Sequence, residues 1–496
     1  MKRVVIMDYV FKNSDEKIKI ITELENYNGM LCGEYLDENC ELYKKIMKEL
    51  SYDFNKTCIR LNKCSRNLSN NLEGTDLLFI SKNIGGFNRK GIVIKENDEK
   101  LIYKNLNFVD LVLDEENIEK GEMNIFTHEL GHVMMTNIMP EFIKYSKSTK
   151  QHCSMGITDY YNAFFEGFGE HFERLTFDCI NKYRDCFNER YKYKFDPIKL
   201  WHCDIDANFR INKVLENGYI YKKILPSVSV DTMNLSDIIM LEHTSCIYDK
   251  TKVLNGNEML SSEGVMATLF YRINTNDEIK NNYMKREDFN KFVLNEIPNS
   301  EDIKNIFSPF ENVMLKNFLV WNLMKDKINE GSVPAIDYIT LWCEYFEDDK
   351  EEILKIFIAT TLGTTFTNDL KEIYEELSLI GMVGNVEKFI TKLEEYKELY
   401  SHILKLVKDD KLSLSKNIYK EIWIKSDSVV VPSVLWDENS KKPLMININT
   451  ASIYDLLAIN NIDFKKAEKI IKIRDNRNGF GSLDEFYQIL YNDCLF

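Results

Sequence analysis

The chain has 496 residues, and single hydrophobic cores stop growing near about 250–300 residues, so we expect about two to four domains. With 44% hydrophobic and 29% charged residues, the composition is that of a globular protein and excludes a disordered or fibrous chain. Acidic residues outnumber basic ones by 79 to 64, a net charge of −15, which excludes a general attraction to nucleic acid or acidic membranes.

Short β-like runs alternate with charged helical segments over residues 1 to 115, which predicts an α+β region. The runs are Val4–Met7, Leu77–Ser81, Gly91–Ile94 and Phe108–Leu113. From Glu122 onward the spacing of apolar residues becomes helical. The long amphipathic stretches include Glu311–Ile328 and Asn368–Leu404. The segment from Pro432 to Pro443 predicts a linker, after which Ile446–Leu490 forms a compact unit of its own.

Cellular location is predicted from the absence of targeting signals. Asp8 interrupts the apolar run at the N-terminus before a signal-peptide core can form, and no segment reaches the ~18 apolar residues of a membrane helix. The eleven cysteines contain no Cys-x-x-Cys pair, so neither a disulfide framework nor a cysteine zinc site is indicated. We therefore expect a cytoplasmic protein with reduced cysteines and no membrane partner.

The most informative motif is His-Glu-Leu-Gly-His at residues 128–132. Histidines at positions i and i+4 of a helix point the same way, so both can bind one metal ion, and Glu129 lies beside them. In a chain with 7 histidines, chance gives only about 0.01 such motifs. A zinc site is therefore favoured over the alternative of two unrelated histidines. Apolar flanking residues predict a buried helix, which Asn124 could cap.

A catalytic zinc needs three protein ligands and an open position for water, so a third ligand should follow His128 and His132 on another element. Glu166 is the candidate, because Glu166, Glu170 and Glu173 share one helical face while two intervening glycines permit close approach of another helix. Glu170 is expected to accept the free N–H of a zinc-bound histidine and so fix its tautomer. The alternative for Glu170 and Glu173 is a solvated acidic face.

These two segments together resemble the gluzincin metallopeptidases, especially the M1 aminopeptidase family. The Glu-Gly-Phe-Gly-Glu of residues 166–170 is similar to the Asn-Glu-Gly-Phe-Ala-Glu helix that follows His-Glu-x-x-His in that family. The resemblance implies that His128, His132 and Glu166 bind zinc and that Glu129 is the general base.

The chain also departs from the family pattern. Gly85–Gly91 is similar to the family's Gly-x-Met-Glu-Asn strand, but Asn88 replaces the glutamate that holds a substrate's free amine. We therefore expect cleavage that is internal or tolerant of blocked N-termini. The 33 residues before Glu166 exceed the family's usual gap and imply an inserted loop around Pro140–Tyr160. The position of the family's catalytic tyrosine is taken by Ser261.

The activity that the resemblance implies is peptide hydrolysis. Zinc lowers the pKa of water and polarises the peptide carbonyl, while Glu129 takes the proton of the water and passes it to the leaving amine. A further donor to the oxyanion is needed. The sequence leaves it open among Tyr219, Tyr221, Tyr160, Tyr161 and His243. The remaining histidines, His152, His171, His202 and His402, are interpreted as ordinary partly buried or surface residues.

The C-terminal residues carry a second pattern, from Ile446 to about Leu490. It begins with Asn-x-Asn-Thr-Ala, ends with Gly-Phe-x-Ser-Leu-x-Glu-Phe, and resembles a ComEA-type helix-hairpin-helix domain. In that family a Gly-Ile-Gly hairpin lets backbone N–H groups and a helix N-terminus contact a DNA phosphate without reading the base sequence.

The hairpin of this chain reads Asn-Ile-Asp at residues 461–463, so both glycines are replaced and Asp463 places a negative charge where phosphate would lie. Against this, residues 464–477 carry six basic and two acidic residues, a balance of +4. The candidate contacts to DNA or another partner are Asn461, Lys465, Lys466 and Lys469. We expect weak, non-specific DNA contact through residues 446–490, and the alternative is a retained fold that packs or binds protein.

Together these features predict an α+β fold, with a zincin-type catalytic domain, a predominantly α-helical remainder and a small all-α C-terminal domain. The predicted domains are 1–115 (α+β, with edge strands of the catalytic domain), 116–300 (zincin-like metallopeptidase), 301–430 (helical) and 445–496 (helix-hairpin-helix). The predicted activity is zinc-dependent hydrolysis of peptide or protein substrates.

Two alternatives to this activity stay open. One is a protease directed to DNA-associated proteins by its helix-hairpin-helix region. The other is a non-catalytic binding protein on a zincin scaffold. Retention of Glu129 argues against the second alternative, because metal binding alone needs no base.

Overall fold

The structure is a computed structural model of the chain. It describes residues 18–70, 76–96, 100–150, 152–191, 212–225, 234–244, 247–430 and 442–491. The predicted strand Val4–Met7 lies outside the described residues. The chain divides into two compact units, each assembled from separate segments. The first unit comprises Met1–Phe142, Phe168–Tyr193 and Tyr271–Lys327, and the second comprises Ile143–Gly167, Lys194–Phe270 and Ile328–Phe496.

Five strands of the first unit close into a small barrel. In barrel order they are Lys19–Glu23, Cys32–Tyr35, Phe87–Lys95, Leu101–Leu111 and Leu77–Ile80. The two longest strands pair antiparallel with a register shift at Gly91, whose φ of 80° is open to glycine without strain. Ile92, Ile94, Phe79 and Phe108 belong to the apolar core that these strands share.

The central helix of the first unit is the histidine helix, Ile125–Ile138, which is apolar on nearly all sides and almost wholly buried. It packs against the helix Asp53–Leu68 and the strand Leu101–Leu111. The other helices of this unit are Glu41–Leu50, Glu115–Glu119, Asn181–Tyr191, Asp277–Asn281, Arg286–Phe289, Ile303–Ile306 and Pro309–Met324. Two described helices, Tyr160–Cys179 and Glu263–Thr275, have residues in both units, and the first is called the glutamate helix.

The second unit is mainly helical. Its described helices include Leu235–Thr244, Gly256–Leu260, Pro334–Tyr345, Lys350–Thr361, Asp369–Val383 and Val386–Lys408, together with the beginnings of Glu263–Thr275 and of the glutamate helix. A short antiparallel pair joins Tyr221–Lys223 with Tyr248–Val253.

The C-terminal part of the second unit begins with the antiparallel strands Trp423–Val430 and Lys442–Asn447. The helices Ile453–Leu457, Phe464–Arg477 and Leu483–Tyr491 follow. Their apolar core also contains Ile239 and Ile424, which lie outside the last 50 residues. The C-terminal helices therefore share a core with the rest of their unit.

Several predicted elements can be compared with the described residues. Each of the three described runs contains strand, so strands are confirmed there. Gly91–Ile94 falls within a longer strand, whereas Leu77–Ser81 and Phe108–Leu113 run one and two residues past the ends of theirs. The stretch predicted as continuous from Asn368 to Leu404 is instead two helices, because Gly384 adopts a left-handed φ of 75° and ends the first one.

The linker prediction is only partly open to comparison. Pro443 lies in a strand, which corrects the C-terminal end of the predicted linker, and Pro432 lies outside the described residues. In the described ranges, no helix combines the length and apolarity needed to cross a membrane. The architecture is thus mixed, mainly helical with some strands.

Candidate functional sites

The histidine helix carries His128, Glu129 and His132 in buried positions. The expected cap is wrong, because Asn124 has helical backbone angles and makes no side-chain cap hydrogen bond. Asn124 Nδ2 instead donates to Glu173 Oε1 at 3.1 Å. This side chain therefore ties the start of the histidine helix to the glutamate helix.

The two glycines of the glutamate helix permit close packing, as predicted, but against different partners. A Cβ atom on Gly169 would lie 2.7 Å from His128 Nε2 and 2.9 Å from His132 Cε1. A Cβ atom on Gly167 would lie 2.5 Å from Met266 Cβ, on the helix Glu263–Thr275. Gly169 is therefore the residue that admits the histidine side chains, and Gly167 packs elsewhere.

The structure brings the donor atoms of His128, His132 and Glu166 within 4.8 Å of one another. His128 Nε2 and His132 Nε2 are 3.1 Å apart. Two nitrogens that bind one tetrahedral zinc at about 2.0–2.1 Å lie about 3.3 Å from each other. Two imidazoles and one carboxylate at this spacing fit the three-ligand set of a catalytic zinc. Within the described residues, no other group of three or more such donors converges in this way.

Two more glutamates of the glutamate helix are buried, because Glu170 is 5% exposed and Glu173 is 3% exposed. The alternative of a solvated acidic face is therefore wrong. Glu173 Oε2 lies 3.7 Å from His128 Nδ1, the nitrogen not directed at His132. Glu173 thus makes the histidine contact that the sequence predicts for Glu170. The role of Glu170 itself stays a prediction. The sequence indicates that Glu173 lies near this site through its spacing, because it follows Glu166 by seven residues and so lies on the same face of the helix.

A buried polar chain holds the middle of the glutamate helix. His171 Nδ1 donates to the Phe168 carbonyl, and His171 Nε2 accepts from Asn274 Nδ2 at 2.8 Å. Asn317 Nδ2 in turn donates to Asn274 Oδ1 at 2.9 Å. Burial lowers the pKa of His171 to about 3, so the ring is neutral at physiological pH. His171, interpreted from sequence as an ordinary residue, therefore contributes a fixed tautomer to the core.

The candidate oxyanion donors are mostly engaged elsewhere. Tyr160 Oη donates to Asn257 Oδ1 or the Tyr419 carbonyl at 2.9 Å, and Tyr161 Oη donates to the Asn329 carbonyl at 2.6 Å. Tyr221 Oη lies 3.0 Å from Tyr374 Oη. His243 is buried, and desolvation lowers its pKa well below the usual range. Tyr219 is buried against Gly264.

Asn88, which replaces the amine-holding glutamate of the resembled family, lies in the strand Phe87–Lys95. Its Nδ2 donates to Thr136 Oγ1 of the histidine helix at 3.3 Å. The side chain is therefore partly committed to holding strand and helix together.

The C-terminal hairpin retains left-handed backbone geometry without glycine, because Asn461 has a φ of 66°. Asp463 begins the helix Phe464–Arg477, and its Oδ1 accepts from Lys466 N at 2.8 Å. Lys466 Nζ donates to the Asn461 carbonyl at 3.3 Å. The carboxylate therefore occupies the helix N-terminus that a phosphate would otherwise approach.

The positive charge of this region is smaller than its composition indicates. Arg474 is 1% exposed, and its guanidinium contacts Glu258 and Asp475, each at 3.0 Å. Arg477 pairs with Glu485 at 2.9 Å. Lys465 is exposed at the first turn, and Lys466 and Lys469 are partly exposed. These lysines and the exposed Lys472 therefore carry the surface charge, and Arg474 has a structural role.

Comparison with known proteins matches one family model to part of the chain. The helix-hairpin-helix motif matches residues 442–490, which confirms that part of the sequence prediction. No curated protein and no solved structure matches the chain at a significant level.

Proposed function

We propose that this protein is a zinc-dependent peptidase. The observation that carries the proposal is the convergence of His128, His132 and Glu166 donors, with Glu129 on the same buried helix as both histidines. A site for structural zinc is normally closed by four protein ligands, whereas three ligands leave one position for water. Glu129, on the same buried helix as both histidines, supplies the base that hydrolysis requires and that metal storage does not.

The residues of the chain have separate roles in this proposal. His128, His132 and Glu166 would hold the metal, and Glu173, 3.7 Å from His128 Nδ1, would favour a proton on that nitrogen and leave Nε2 as the metal-binding atom. Zinc, when bound, polarises the peptide carbonyl and lowers the pKa of water. Glu129 accepts the proton of the attacking water and delivers it to the leaving amine.

The test is to digest a peptide library with the full-length protein and with Glu129→Gln, and to measure zinc by elemental analysis. We expect about one zinc per chain in both proteins, and cleavage by the wild type alone, because the substitution spares the ligands and removes the base. Glu116→Gln, which changes an exposed glutamate of the same unit, should behave as the wild type.

The library should contain peptides with free and with acetylated N-termini. Cleavage of both is expected, because Asn88 offers no carboxylate to a substrate amine. A folded wild-type protein that holds zinc but cleaves nothing would favour the non-catalytic binding protein. If the folded wild-type protein binds no zinc, the proposed function is wrong.

A second candidate function is contact with nucleic acid, which the helix-hairpin-helix match at residues 442–490 favours. This region would then bring the peptidase to DNA-associated substrates. Lys465 supplies positive charge at the start of the helix Phe464–Arg477, while Asp463 opposes a phosphate there. Weak, salt-sensitive binding is therefore expected.

A further inference from the structure

His152 lies beside the proposed metal ligand Glu166. Its Nδ1 is 3.7 Å from Glu166 Oε2 and 3.9 Å from Glu263 Oε2. The His152 side chain is 59% exposed, whereas the side chains of Glu166 and Glu263 are 13% and 0% exposed. The exposed imidazole therefore lies beside one buried carboxylate, Glu263, and one partly buried carboxylate, Glu166.

The loop around His152 is anchored on both sides. Asp159 Oδ2 accepts three hydrogen bonds at 2.7–2.9 Å, from Ser146 Oγ, Lys147 N and Ser148 N. Asp159 Oδ1 accepts from Asn162 N at 2.7 Å, so the same carboxylate caps the glutamate helix. After His152, the Ser154 carbonyl accepts from Gly264 N at 3.0 Å. The Asp159 bonds fix the loop to the helix that bears Glu166, and the Ser154 bond fixes it to the helix Glu263–Thr275.

Glu263 is held in place by a separate contact. Asn162 Nδ2 donates to Glu263 Oε1 at 3.0 Å, which leaves Oε2 as the atom that faces His152. The imidazole is thus flanked by Glu166 and Glu263, and Nδ1 is the nitrogen that faces both. Nε2 is the remaining nitrogen for contact with a substrate.

We propose that His152 is a catalytic residue that donates a hydrogen bond to the substrate oxyanion. This inference rests on the proposed peptidase function. The water oxygen attacks the carbonyl carbon, the C=O π electrons move onto the oxygen, and the His152 N–H donates to that oxygen while Glu129 accepts the water proton. The amine then leaves with this proton, and the carbonyl re-forms.

Three observations favour His152 over the other candidates. The hydroxyl groups of Tyr160 and Tyr161 donate to backbone or amide oxygens elsewhere, and Ser261, at the position of the resembled family's tyrosine, is buried. His152 also comes from the loop that exceeds the length of the family pattern. The inserted loop thus supplies the donor that the family's tyrosine position lacks.

The test uses full-length His152→Ala and His152→Gln, with His402→Ala as a control that removes an exposed histidine from the helix Val386–Lys408. With a peptide that the wild type cleaves, kcat should fall about 10²- to 10³-fold in His152→Ala, while KM changes less than about threefold. His152→Gln should recover part of the loss, because its amide can donate. Thermal unfolding by circular dichroism should be unchanged, since the side chain is exposed.

Two readouts do not depend on turnover. Zinc content and the visible spectrum of the cobalt-substituted protein should be unchanged, because His152 is not a ligand in this proposal. Isothermal titration with a phosphinic peptide built on the cleaved sequence should show about 10²-fold weaker binding to His152→Ala. In a Glu129→Gln background, binding of the uncleaved peptide should change less than about threefold.

An unchanged kcat, a change confined to KM, or loss of zinc from His152→Ala would each overturn the assignment. Loss of zinc would make His152 a ligand or a support for Glu166. If the wild type itself cleaves no peptide, the proposed function fails, and this inference falls with it. The two failures are distinguished by the wild-type measurement alone.

Discussion

Glu173 contacts both His128 and Asn124, the residue that precedes the histidine helix. His128 Nδ1 lies 3.7 Å from Glu173 Oε2, and Glu173 Oε1 accepts from Asn124 Nδ2 at 3.1 Å. A carboxylate at Nδ1 favours the proton on that nitrogen and directs the lone pair of Nε2 toward a metal. At the scale of single residues, we therefore expect Glu173 to orient His128 and to set its tautomer in the proposed metal site.

Alanine substitutions along the glutamate helix should weaken zinc binding more, the closer the replaced side chain lies to the proposed metal site. Glu166→Ala should abolish zinc retention, and Glu173→Ala should weaken zinc affinity about 10- to 100-fold, as expected for the loss of a partner that orients a ligand. Competition with a chromophoric chelator measures these affinities. Glu394→Ala, at an exposed glutamate, is the control.

Glu170→Ala decides between two interpretations of the same helical face. If Glu170→Ala weakens zinc binding about 10- to 100-fold while Glu173→Ala has no effect, the role belongs to Glu170, as the sequence predicts. An equal loss in both variants would assign one histidine to each glutamate.

At the scale of elements, the backbone geometry and the charge of the C-terminal hairpin have opposite expected effects on phosphate binding. Asn461 already has a left-handed φ of 66°, so the shape that glycine provides in the resembled family is present. Asp463 caps the helix Phe464–Arg477 with its own carboxylate. We therefore expect the charge of Asp463, and not the missing glycines, to be the obstacle to a bound phosphate.

Replacing Asp463 should raise DNA affinity more than replacing Asn461. Asp463→Ser keeps a capping oxygen and removes the charge, worth about 0.5–1 kcal/mol near a helix N-terminus, or about two- to fivefold in affinity. Asn461→Gly should change little, and Lys465→Glu should weaken binding. Fluorescence anisotropy with duplex DNA at about 50 and 200 mM salt measures these effects.

The DNA measurement should use the full chain, because the C-terminal core includes Ile239 and Ile424 and Arg474 contacts Glu258. Tight wild-type binding that persists at about 200 mM salt would contradict the assignment of Asp463 as an obstacle. It would also make the DNA-directed protease the leading function.

At the scale of the whole molecule, buried carboxyl groups make stability depend on pH. Burial, together with the nearby Asp159, raises the pKa of Glu421 to about 8. Glu421 Oε1 accepts from Tyr160 N, at the start of the glutamate helix, at 3.1 Å. A carboxyl group with a raised folded-state pKa stabilises the fold while it is protonated, so this contribution is lost as the pH rises toward and through about 8.

The midpoint of urea unfolding should therefore fall between about pH 5.5 and pH 8.5, and Glu421→Gln should flatten this dependence. Glutamine keeps an oxygen for Tyr160 N and does not ionise. Glu398→Gln, at an exposed glutamate, is the control and should follow the wild type. Equal pH slopes in the wild type and Glu421→Gln would show that other groups control the pH dependence.

The sequence alone determined the features that depend on short spacing along the chain. His128 and His132 share a helical face because they are four residues apart, and Glu166, Glu170 and Glu173 share another for the same reason. The helix-hairpin-helix pattern was also recognisable because its turn and helix residues follow one another directly. Local periodicity is enough for predictions of this kind.

Only the tertiary structure decided which of these residues meet others far along the chain. The approach of Glu173 to His128, the position of His152 beside Glu166, and the burial of Arg474 against Glu258 all depend on packing between separate elements. Helical periodicity fixes the face of a side chain but not the neighbour that the face receives. Asn461 shows the same limit in the backbone, because the fold imposes a left-handed conformation that its side chain does not require.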